Sequence, residues 1–214
     1  MTIGLVLLFV IGLILVFNSQ IQRQIISKVG QSIQPTSVEQ VQKNIQSTAA
    51  SFDFAEVETL TFADVLKAQT NKNNLPVIGT ISIPTVEMQL PILKGVGRDA
   101  LAVGAGTMKP NQVMGEGNYS LAGHYFDDQD ILFSPLYDLQ MGDKIYITDL
   151  EFAYIYETTF IEVIEATRVQ IIEDRADEAI LTLITCAEKG TKRLAVQAQF
   201  SQKVALKDLE KMVF

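Results

Sequence analysis

The sequence predicts a mainly β protein: a closed antiparallel barrel with short helices, preceded by an N-terminal membrane-spanning helix and a polar spacer. From Leu75 onward, short apolar and alternating segments follow one another with proline or glycine between them, and long helical patterns are few. This arrangement is typical of barrels, in which closure removes the exposed edges that an open sheet would carry. Before Leu75 the composition differs, being first apolar and then rich in Gln, Ser, Thr and Asn.

Seven segments have the β-branched and aromatic composition expected of strands. They are Val77–Ile83, Met88–Leu93, Tyr119–His124, Lys144–Thr148, Phe152–Thr167, Ile180–Thr185 and Leu194–Phe200. The fifth is so long that we expect it to bend or to form two pieces. Gly104-Ala105-Gly106 is interpreted as a turn, because it lacks the strand-to-helix context of a phosphate-binding loop.

Residues 1–22 carry no charged side chain, and the stretch from Thr2 to Phe17 is almost wholly apolar. A helix over that stretch would be about 24 Å long, somewhat shorter than the ~30 Å hydrocarbon core of a bilayer. A cleaved signal peptide is the alternative, but no small-x-small cleavage site follows the apolar run. We therefore predict an uncleaved anchor over residues 1–22. The basic flank usual for such an anchor is missing. Either the sequence begins at an internal start, which we expect, or the orientation is fixed by translocation of the large C-terminal part.

Residues 23–74 form the predicted spacer between the anchor and the barrel. The residue pattern in Val38–Ile45 is compatible with a helix, and Thr61-Phe62-Ala63-Asp64 resembles a capping box that opens another. A plain solvated linker explains the spacer equally well. Residues 75–200 form the predicted barrel domain. Residues 201–214 form a tail with too few apolar residues to span a bilayer.

Composition excludes several classes of function. With 214 residues and 48% hydrophobic content, the chain can bury one sizeable core. Its formal charge of −8 argues against nucleic acid as a partner. A single cysteine excludes an internal disulfide, and one cysteine with one histidine cannot assemble a zinc site. We therefore expect no metal and no other cofactor.

Three strand-like runs each offer one reactive side chain. The only cysteine, Cys186, ends an apolar run and is followed at once by basic residues that could stabilise a thiolate. The only histidine, His124, and the arginine Arg193 also stand on the face opposite the apolar residues of their runs. A lone cysteine in such a run is often only a small buried hydrophobe. The agreement of three strands is the first argument for a site.

The motifs around these residues resemble those of the sortases, the membrane-anchored cysteine transpeptidases of Gram-positive bacteria, and specifically the class A enzymes of streptococcal type. The pattern Thr-Leu-x-Thr-Cys corresponds to Thr182–Cys186, a hydrophobic-Ala-x-His pattern to Leu121–His124, and the catalytic arginine to Arg193. Further similarity runs through Asp64–Gln69, Leu75–Gly79, Gly104–Lys109 and Leu132–Leu136. The resemblance covers roughly residues 60 to 200 and implies the eight-stranded sortase barrel.

The resemblance implies a two-step acyl transfer. The Cys186 sulfur attacks the Thr–Gly bond of a Leu-Pro-x-Thr-Gly (LPxTG) sorting signal on a surface protein, and an amine of a cell-wall precursor (lipid II) then releases the thioester. His124 protonates the leaving amine and deprotonates the incoming one. Arg193 holds substrate carbonyls and developing negative charge, with the backbone amide of Ala187 as candidate second oxyanion donor. The implied location is the cell membrane, with the catalytic domain outside the cell.

Recognition of Leu-Pro requires an apolar groove. By family position, five residues are implied to line it, and Thr185 is a candidate for a hydrogen bond to the substrate. The five are Ala122, Val169, Ile171, Ile172 and Ile184. Ordinary core packing is the alternative interpretation of each apolar residue.

Some class A sortases are stimulated by calcium through an acid-rich segment before the histidine strand. Here that segment reads Lys109-Pro110-Asn111-Gln112, with Glu116 and the later Asp174 remaining. A cation in place of a carboxylate disfavours a hard divalent ion. We expect no calcium requirement, and several-fold stimulation of peptide cleavage by millimolar calcium would contradict this.

Three alternatives remain open at this point. A class C, pilus-polymerising sortase would carry an aromatic lid preceded by Asp-Pro and usually a second, C-terminal membrane helix, and the sequence has neither. A hydrolytic cysteine peptidase would form the same thioester but would not respond to an added amine. A non-enzymatic, membrane-tethered surface module predicts that Cys186→Ala leaves the phenotype unchanged.

Overall fold

The computed structural model describes most of the barrel and separate parts of the preceding chain. The described residues are 4, 9, 12–13, 16–17, 30, 32–35, 37–48, 50–54, 62–71, 74–126, 131–209 and 213–214. Most of the predicted anchor over residues 1–22, and the start of the capping box at Thr61, lie outside them. Among the described residues, no helix is both long enough and apolar enough to cross a membrane.

Eight strands close into one barrel in the order β1-β2-β3-β4-β7-β8-β6-β5. They are β1 (Val77–Ile83), β2 (Met88–Leu93), β3 (Ala105–Thr107), β4 (Asn118–Ala122), β5 (Lys144–Thr148), β6 (Phe152–Glu165), β7 (Ile180–Ala187) and β8 (Lys192–Ala205). The α-helices described are α1 (Val38–Ile45), α2 (Phe62–Thr70) and α3 (Arg98–Leu101). Short 3-10 helices cover Pro84–Val86, Ser134–Asp138, Val169–Ile172, Glu188–Gly190 and Leu206–Asp208. The predicted mainly β, eight-stranded closed barrel with short helices is confirmed.

The prediction of a wholly antiparallel barrel is wrong, because two neighbouring pairs of strands run parallel. β2 pairs parallel with β3, and the connection between them carries α3, as a parallel crossover requires. β4 pairs parallel with β7 over five residues of register, from Asn118↔Ile180 to Ala122↔Ile184. The segment between these two strands contains β5 and β6, which close the opposite side of the barrel.

Two residues of the segment interpreted as a turn, Ala105 and Gly106, lie in strand β3, and Gly104 directly precedes the strand. A side chain at Gly104 would place its Cβ 2.3 Å from the Pro91 carbonyl oxygen, and one at Gly106 would place it 2.4 Å from the Gly95 carbonyl oxygen. Distances this short do not occur for real Cβ atoms, so both positions require glycine. The glycines therefore allow a close approach of neighbouring backbone, and the turn interpretation is wrong for Ala105 and Gly106.

The alternation of side chains along the strands separates the barrel interior from its outer wall. The interior core includes Tyr119 and Leu121 of β4, Leu181 and Leu183 of β7, and Leu194 and Val196 of β8. β6 and β8 pair along almost their whole length, with register shifts at Ile155/Tyr156 and Thr158/Phe160. The long fifth segment of the prediction is thus one irregular strand that ends at Glu165, rather than two pieces.

The spacer residues that the structure describes lie against the barrel. α1 begins after Ser37, whose hydroxyl accepts a hydrogen bond from the Gln40 amide, as in a standard N-cap. Val41 of this helix is fully buried, and the Asn44 side-chain amide donates to the Val77 carbonyl of β1 at 2.7 Å. The predicted helix over Val38–Ile45 is therefore present and docked on β1.

Helix α2 is joined to α3 by two ion pairs. Arg98 Nε lies 2.8 Å from Asp64 Oδ1, and Lys67 Nζ lies 3.2 Å from Asp99 Oδ1. Asp64 is buried, so the first pair is shielded from solvent more than the second, in which Lys67 is largely exposed. These contacts fix α2 beside the start of β3.

Candidate active site

Outward-facing residues of β4, β7 and β8 form rows across the barrel wall, because β7 lies in register between the other two strands. What we call the polar row consists of Ser120, Thr182 and Gln197. The apolar row, one step further along, consists of Ala122, Ile184 and Ala195. Successive rows are two residues apart along each strand, which is about 7 Å.

The next row carries the three predicted catalytic side chains. Cys186 is the direct register partner of Arg193 across β7 and β8. The β4–β7 register ends at Ala122↔Ile184. Extending it by two residues would place His124 opposite Cys186. We call His124, Cys186 and Arg193 the reactive row.

The backbone before His124 is held against β7 although β4 ends at Ala122, two residues earlier than predicted. The Gly123 amide donates to the Ile184 carbonyl at 3.1 Å, and the Thr185 hydroxyl donates to the Gly123 carbonyl at 2.8 Å. On the other side, the Phe133 amide donates to the His124 carbonyl at 3.0 Å. The position of the histidine is therefore fixed from both flanks.

Gly123 is required by its contact with an aromatic ring. A Cβ at this position would lie 2.5 Å from the Phe133 ring. Because Phe133 is fully buried, its ring has no room to move away. The glycine of the hydrophobic-Ala-x-His motif thus allows the histidine segment to pass directly over the core.

Thr185 does not face the substrate side of β7. It is only 2% exposed, and its hydroxyl is already donated to the Gly123 carbonyl. It alternates with Ile184 and Cys186, so it points to the barrel interior. The hydroxyl holds the segment that carries His124, and the predicted hydrogen bond between Thr185 and the substrate stays a prediction.

The His124 imidazole is buried, with 9% of the residue exposed. Burial lowers the pKa of His124 to about 4, because the charged form loses its hydration. The charge of Asp64 acts in the opposite direction and that of Arg98 in the same direction as burial. Since these two side chains form an ion pair, their effects largely offset each other. The imidazole is therefore neutral at pH 7.

This burial makes protein stability sensitive to acid. In the unfolded chain His124 takes up a proton below about pH 6.5, whereas in the folded protein it does so only near pH 4. The unfolded state thus binds more protons, and the free energy of unfolding falls as the pH drops through this window. We expect His124 to contribute a loss of about 2 kcal/mol between about pH 7.5 and about pH 5.

The measurement is urea denaturation of the wild type and of His124→Gln at both pH values. The glutamine variant keeps a polar side chain but cannot titrate, so its stability should fall less between the two pH values. Because all other ionisable groups are shared, the difference between the two proteins isolates the histidine. An identical pH dependence for the two proteins would contradict the expected contribution.

Cys186 is half-buried and is the only cysteine in the chain. Its backbone carbonyl accepts a hydrogen bond from the hydroxyl of Tyr137 at 3.2 Å. The Tyr137 ring packs against that of Tyr125, the residue after His124, with 4.9 Å between ring centroids. Sequence reasoning missed this tyrosine pair, because no motif connects the helical turn at Ser134–Asp138 with the cysteine strand.

The basic residues that follow Cys186 are not equivalent. The Lys192 ammonium lies 3.1 Å from Glu188 and 3.8 Å from Glu165, and its hydrogen bond to Glu188 raises the pKa of Lys192. Within the part of the chain that is described, Arg193 forms no ion pair. Its Nη1 donates to the carbonyls of Gly190 and Lys192, each at 2.9 Å. Because it is also the register partner of Cys186, Arg193 is the cation that its strand places in the reactive row.

A second apolar cluster lies on the outer wall beside the apolar row. Its buried members are Ile164, Ile171, Ile184 and Ala195, and Met108, Phe160 and Ile172 pack against it. Three predicted groove residues, Ile171, Ile172 and Ile184, thus meet in one place. Ala122 adjoins them as the register partner of Ile184. Val169 is 62% exposed and is not a member of the cluster, so its role in the groove stays a prediction.

The loop that carries Ile171 and Ile172 is tied to the start of β4. Lys109 Nζ lies 2.6 Å from Asp174 Oδ1, and the Asn118 amide donates to the same oxygen at 2.8 Å. The hydrogen bond from Lys109 and that from Asn118 lower the pKa of Asp174. The lysine that replaces an acid in the predicted calcium segment therefore pairs with the acid of the later loop.

Comparisons with known proteins identify the family to which this fold belongs. A model of the sortase domain matches residues 81–201. The chain is 40% identical to sortase A of Streptococcus agalactiae over 205 residues, which cover 92% of this chain and 83% of that protein. It is 37% identical to sortase A of Listeria monocytogenes over 218 aligned positions, which cover 100% of this chain and 97% of that protein.

Solved structures show the same fold. The crystal structure of sortase A from Listeria monocytogenes superimposes with a TM-score of 0.59 at 40% identity, covering 62% of this chain and 92% of that one. Sortase C-3 from Streptococcus pneumoniae gives a TM-score of 0.61 at 21% identity, covering 87% of this chain and 94% of that one, which is a likeness of fold alone. The chain therefore belongs to the sortase family and is a class A cysteine transpeptidase that attaches surface proteins to the cell wall.

Proposed function

We propose that the protein cleaves LPxTG sorting signals between Thr and Gly through a thioester on Cys186, and transfers the acyl group to an amine of a cell-wall precursor such as lipid II. The observation that carries the proposal is the adjacency of two rows. The reactive row of His124, Cys186 and Arg193 lies one register step from the apolar row and its cluster. A nucleophile beside an apolar groove suits a signal that begins with Leu-Pro.

The spacing of the rows fits the length of such a signal. An extended peptide advances about 3.3 Å per residue. With its Thr carbonyl at Cys186, proline would lie about 7 Å away, over the apolar row that contains Ile184. Leucine would lie about 10 Å away, beside Ile171 and the rest of the outer cluster. The enzyme can thus hold the Thr–Gly bond at Cys186 and the leucine and proline side chains on the apolar surface at the same time.

A neutral His124 can move every proton that the cycle needs. It takes the thiol proton as the Cys186 sulfur attacks the Thr carbonyl, and it donates that proton to the glycine amine as the C–N bond breaks. It then takes a proton from the acceptor amine that attacks the thioester, and returns it to the sulfur as the C–S bond breaks. After both steps, His124 is again neutral and Cys186 is again a free thiol.

Arg193 stabilises the negative charge that develops on the carbonyl oxygen. Both of its backbone hydrogen bonds come from Nη1, so within the described residues Nε and Nη2 remain for a substrate. A planar guanidinium can hold two substrate carbonyls, which a lysine ammonium cannot do with the same geometry. The Ala187 amide, directly after Cys186, is the proposed second donor to the oxyanion.

Arg193→Lys tests this role. We expect kcat to fall by about 10²-fold or more, because the charge is kept but the fork of donors is lost. The matched control is Lys192→Ala, which removes a charge one residue away that already pairs with Glu188. We expect this control to keep near wild-type activity. The measurement is a steady-state assay of peptide cleavage. A kcat for Arg193→Lys equal to that of the wild type would contradict the proposal.

We further propose that residues 1–22 anchor the enzyme in the cell membrane as a single-pass protein, with the catalytic domain outside the cell. The uncharged apolar run from Thr2 to Phe17 supports the anchor. Surface proteins that bear the signal, the lipid-linked precursor and the membrane itself would then be its partners, and nucleic acid would not. Membrane fractionation and protease accessibility of intact cells test this arrangement.

The direct test of the proposed reaction uses the protein with an LPxTG peptide and several candidate amines. We expect a covalent acyl-enzyme at Cys186 with the mass of the N-terminal part of the peptide. An added amine should convert it to the transfer product. A thioester that is only hydrolysed, whatever amine is offered, would indicate a peptidase and contradict the transfer step.

A further inference from the structure

We propose that Asn118, Thr182 and Gln197, which we call the amide cluster, are positioning residues that fix the 3-10 helix Val169–Ile172 over the groove and thereby set the preference for a large apolar first residue in the signal. The inference rests on the proposed function, because it names the part of the site that selects the leucine of LPxTG. None of the three residues is placed in the chemistry of acyl transfer.

The amide cluster is a closed set of hydrogen bonds that ends on the backbone of the groove loop. The Asn118 side-chain amide donates to the carbonyls of Ile171 at 2.9 Å and Glu173 at 3.1 Å. Gln197 Nε2 donates to the same Ile171 carbonyl at 3.2 Å. The Ile171 carbonyl therefore receives one bond from β4 and one from β8.

Thr182 of β7 links the two amides. Its hydroxyl donates to Asn118 Oδ1 at 2.6 Å and accepts from Gln197 Nε2 at 3.1 Å. Gln197 Oε1 in turn accepts from Arg175 at 3.3 Å. Both hydrogens of each amide are used, so the orientation of each side chain is determined by its partners.

The side chains of the amide cluster are deeply buried, although they are polar and lie outside the barrel core. Asn118, Thr182 and Gln197 are 1%, 0% and 7% exposed. They lie on the outer wall, where an apolar residue could cover the strands without the cost of burying polar groups. Asn118 and Gln197 hold the loop carbonyls, and Thr182 holds these two amides in place. A fully paired buried network gives one defined geometry.

The geometry matters because Ile171 is held from both sides. Its carbonyl is fixed by the amide cluster, and its side chain packs in the outer cluster with Ile184 and Ala195. The distance between the 3-10 helix and the strands is thereby fixed, and so is the width of the groove. A groove of fixed width binds leucine more tightly than alanine, because only the larger side chain fills it. A groove that can narrow around alanine would show a smaller preference for leucine.

Gln197→Glu tests the inference directly, with Gln199→Glu as its matched control. Glutamate removes both donors of Gln197 and places an acceptor against the Ile171 carbonyl. Gln199 is on the same strand and also donates to a backbone carbonyl, that of Ala179, which lies outside the 3-10 helix. Thr182→Val is the second variant, and its control is Thr158→Val, since the buried Thr158 hydroxyl has no hydrogen-bond partner in the described structure.

The readout is kcat/KM for a Leu-Pro-x-Thr-Gly peptide divided by that for its Ala-Pro counterpart. We expect this ratio to fall several-fold in Gln197→Glu and in Thr182→Val, mainly through KM for the leucine peptide, and to stay unchanged in both controls. If both peptides lose activity equally, or if only the thermal stability falls, the amide cluster is merely structural and the inference is overturned.

A second measurement does not depend on the substrate. Hydrogen exchange of the amides in residues 168–174 should be about tenfold faster in Gln197→Glu and unchanged in Gln199→Glu. Unchanged exchange in Gln197→Glu would overturn the positioning role whatever the peptide assay shows. If the wild type fails to cleave the leucine peptide while exchange responds as expected, it is the proposed substrate that fails and not the positioning role.

Discussion

Cys186→Ala will abolish acyl-enzyme formation and leave peptide binding intact. The chain contains no other cysteine, so no second thiol can take over the attack. We expect the rate of cleavage to fall by at least about 10³-fold, to the level of the uncatalysed reaction in the assay. Mass spectrometry after mixing with an LPxTG peptide should detect no covalent adduct.

Binding should survive because the groove is built from other residues. The apolar row of Ala122, Ile184 and Ala195 and the outer cluster do not involve the cysteine side chain. The dissociation constant of the peptide should therefore stay within about twofold of the value for a Cys186→Ser variant. Serine is the reference because its hydroxyl is a weak nucleophile and cannot form a thiolate. A persistent adduct or a normal rate in Cys186→Ala would refute the assignment of the nucleophile.

His124→Ala is expected to lower kcat for both half-reactions by about 10²–10⁴-fold. Its imidazole carries the proton in each of the four transfers of the proposed cycle, and the chain has no second histidine. Single-turnover measurements should show slow acylation, and an acyl-enzyme that does form should react slowly with added amine.

Chemical rescue provides the control for this second variant. Because His124 is buried, its replacement by alanine leaves a cavity at the site of the lost ring. Free imidazole should enter this cavity and restore part of the rate, whereas it should not restore Cys186→Ala. Activity within twofold of the wild type, without added imidazole, would show that the histidine is structural.

Local patterns were sufficient to predict much of the fold and of the reactive row. The strands Val77–Ile83, Met88–Leu93 and Lys144–Thr148 have the predicted bounds, because alternation and turn residues are properties of neighbouring positions. The same alternation puts Cys186 and Ile184 on one face of β7. The meeting of His124, Cys186 and Arg193 was expected from the motif resemblance. Cys186 and Arg193 are register partners across β7 and β8, and the place of His124 beside them stays a prediction.

Interactions between distant segments could not be predicted in this way. The parallel pairing of β4 with β7 depends on barrel closure, and nothing in either strand alone specifies its direction. The three-residue strand β3 was missed because Gly104 and Gly106, before and within it, have the composition of a turn. Only the close carbonyls of Pro91 and Gly95 explain these two glycines. A signal for the amide cluster did exist: Thr182 and Gln197 are polar residues within otherwise apolar runs.

Since Gly123 and Thr185 are 62 positions apart in the chain, their hydrogen bond joins two segments that meet only in the finished barrel. A partly folded molecule would have the Cys186 thiol and the His124 imidazole, but the two side chains would not yet lie beside a common groove. Such long-range contacts form late in folding and slowly. During refolding, peptide-cleaving activity should therefore appear with the last kinetic phase. Incompletely folded molecules should not cleave peptides.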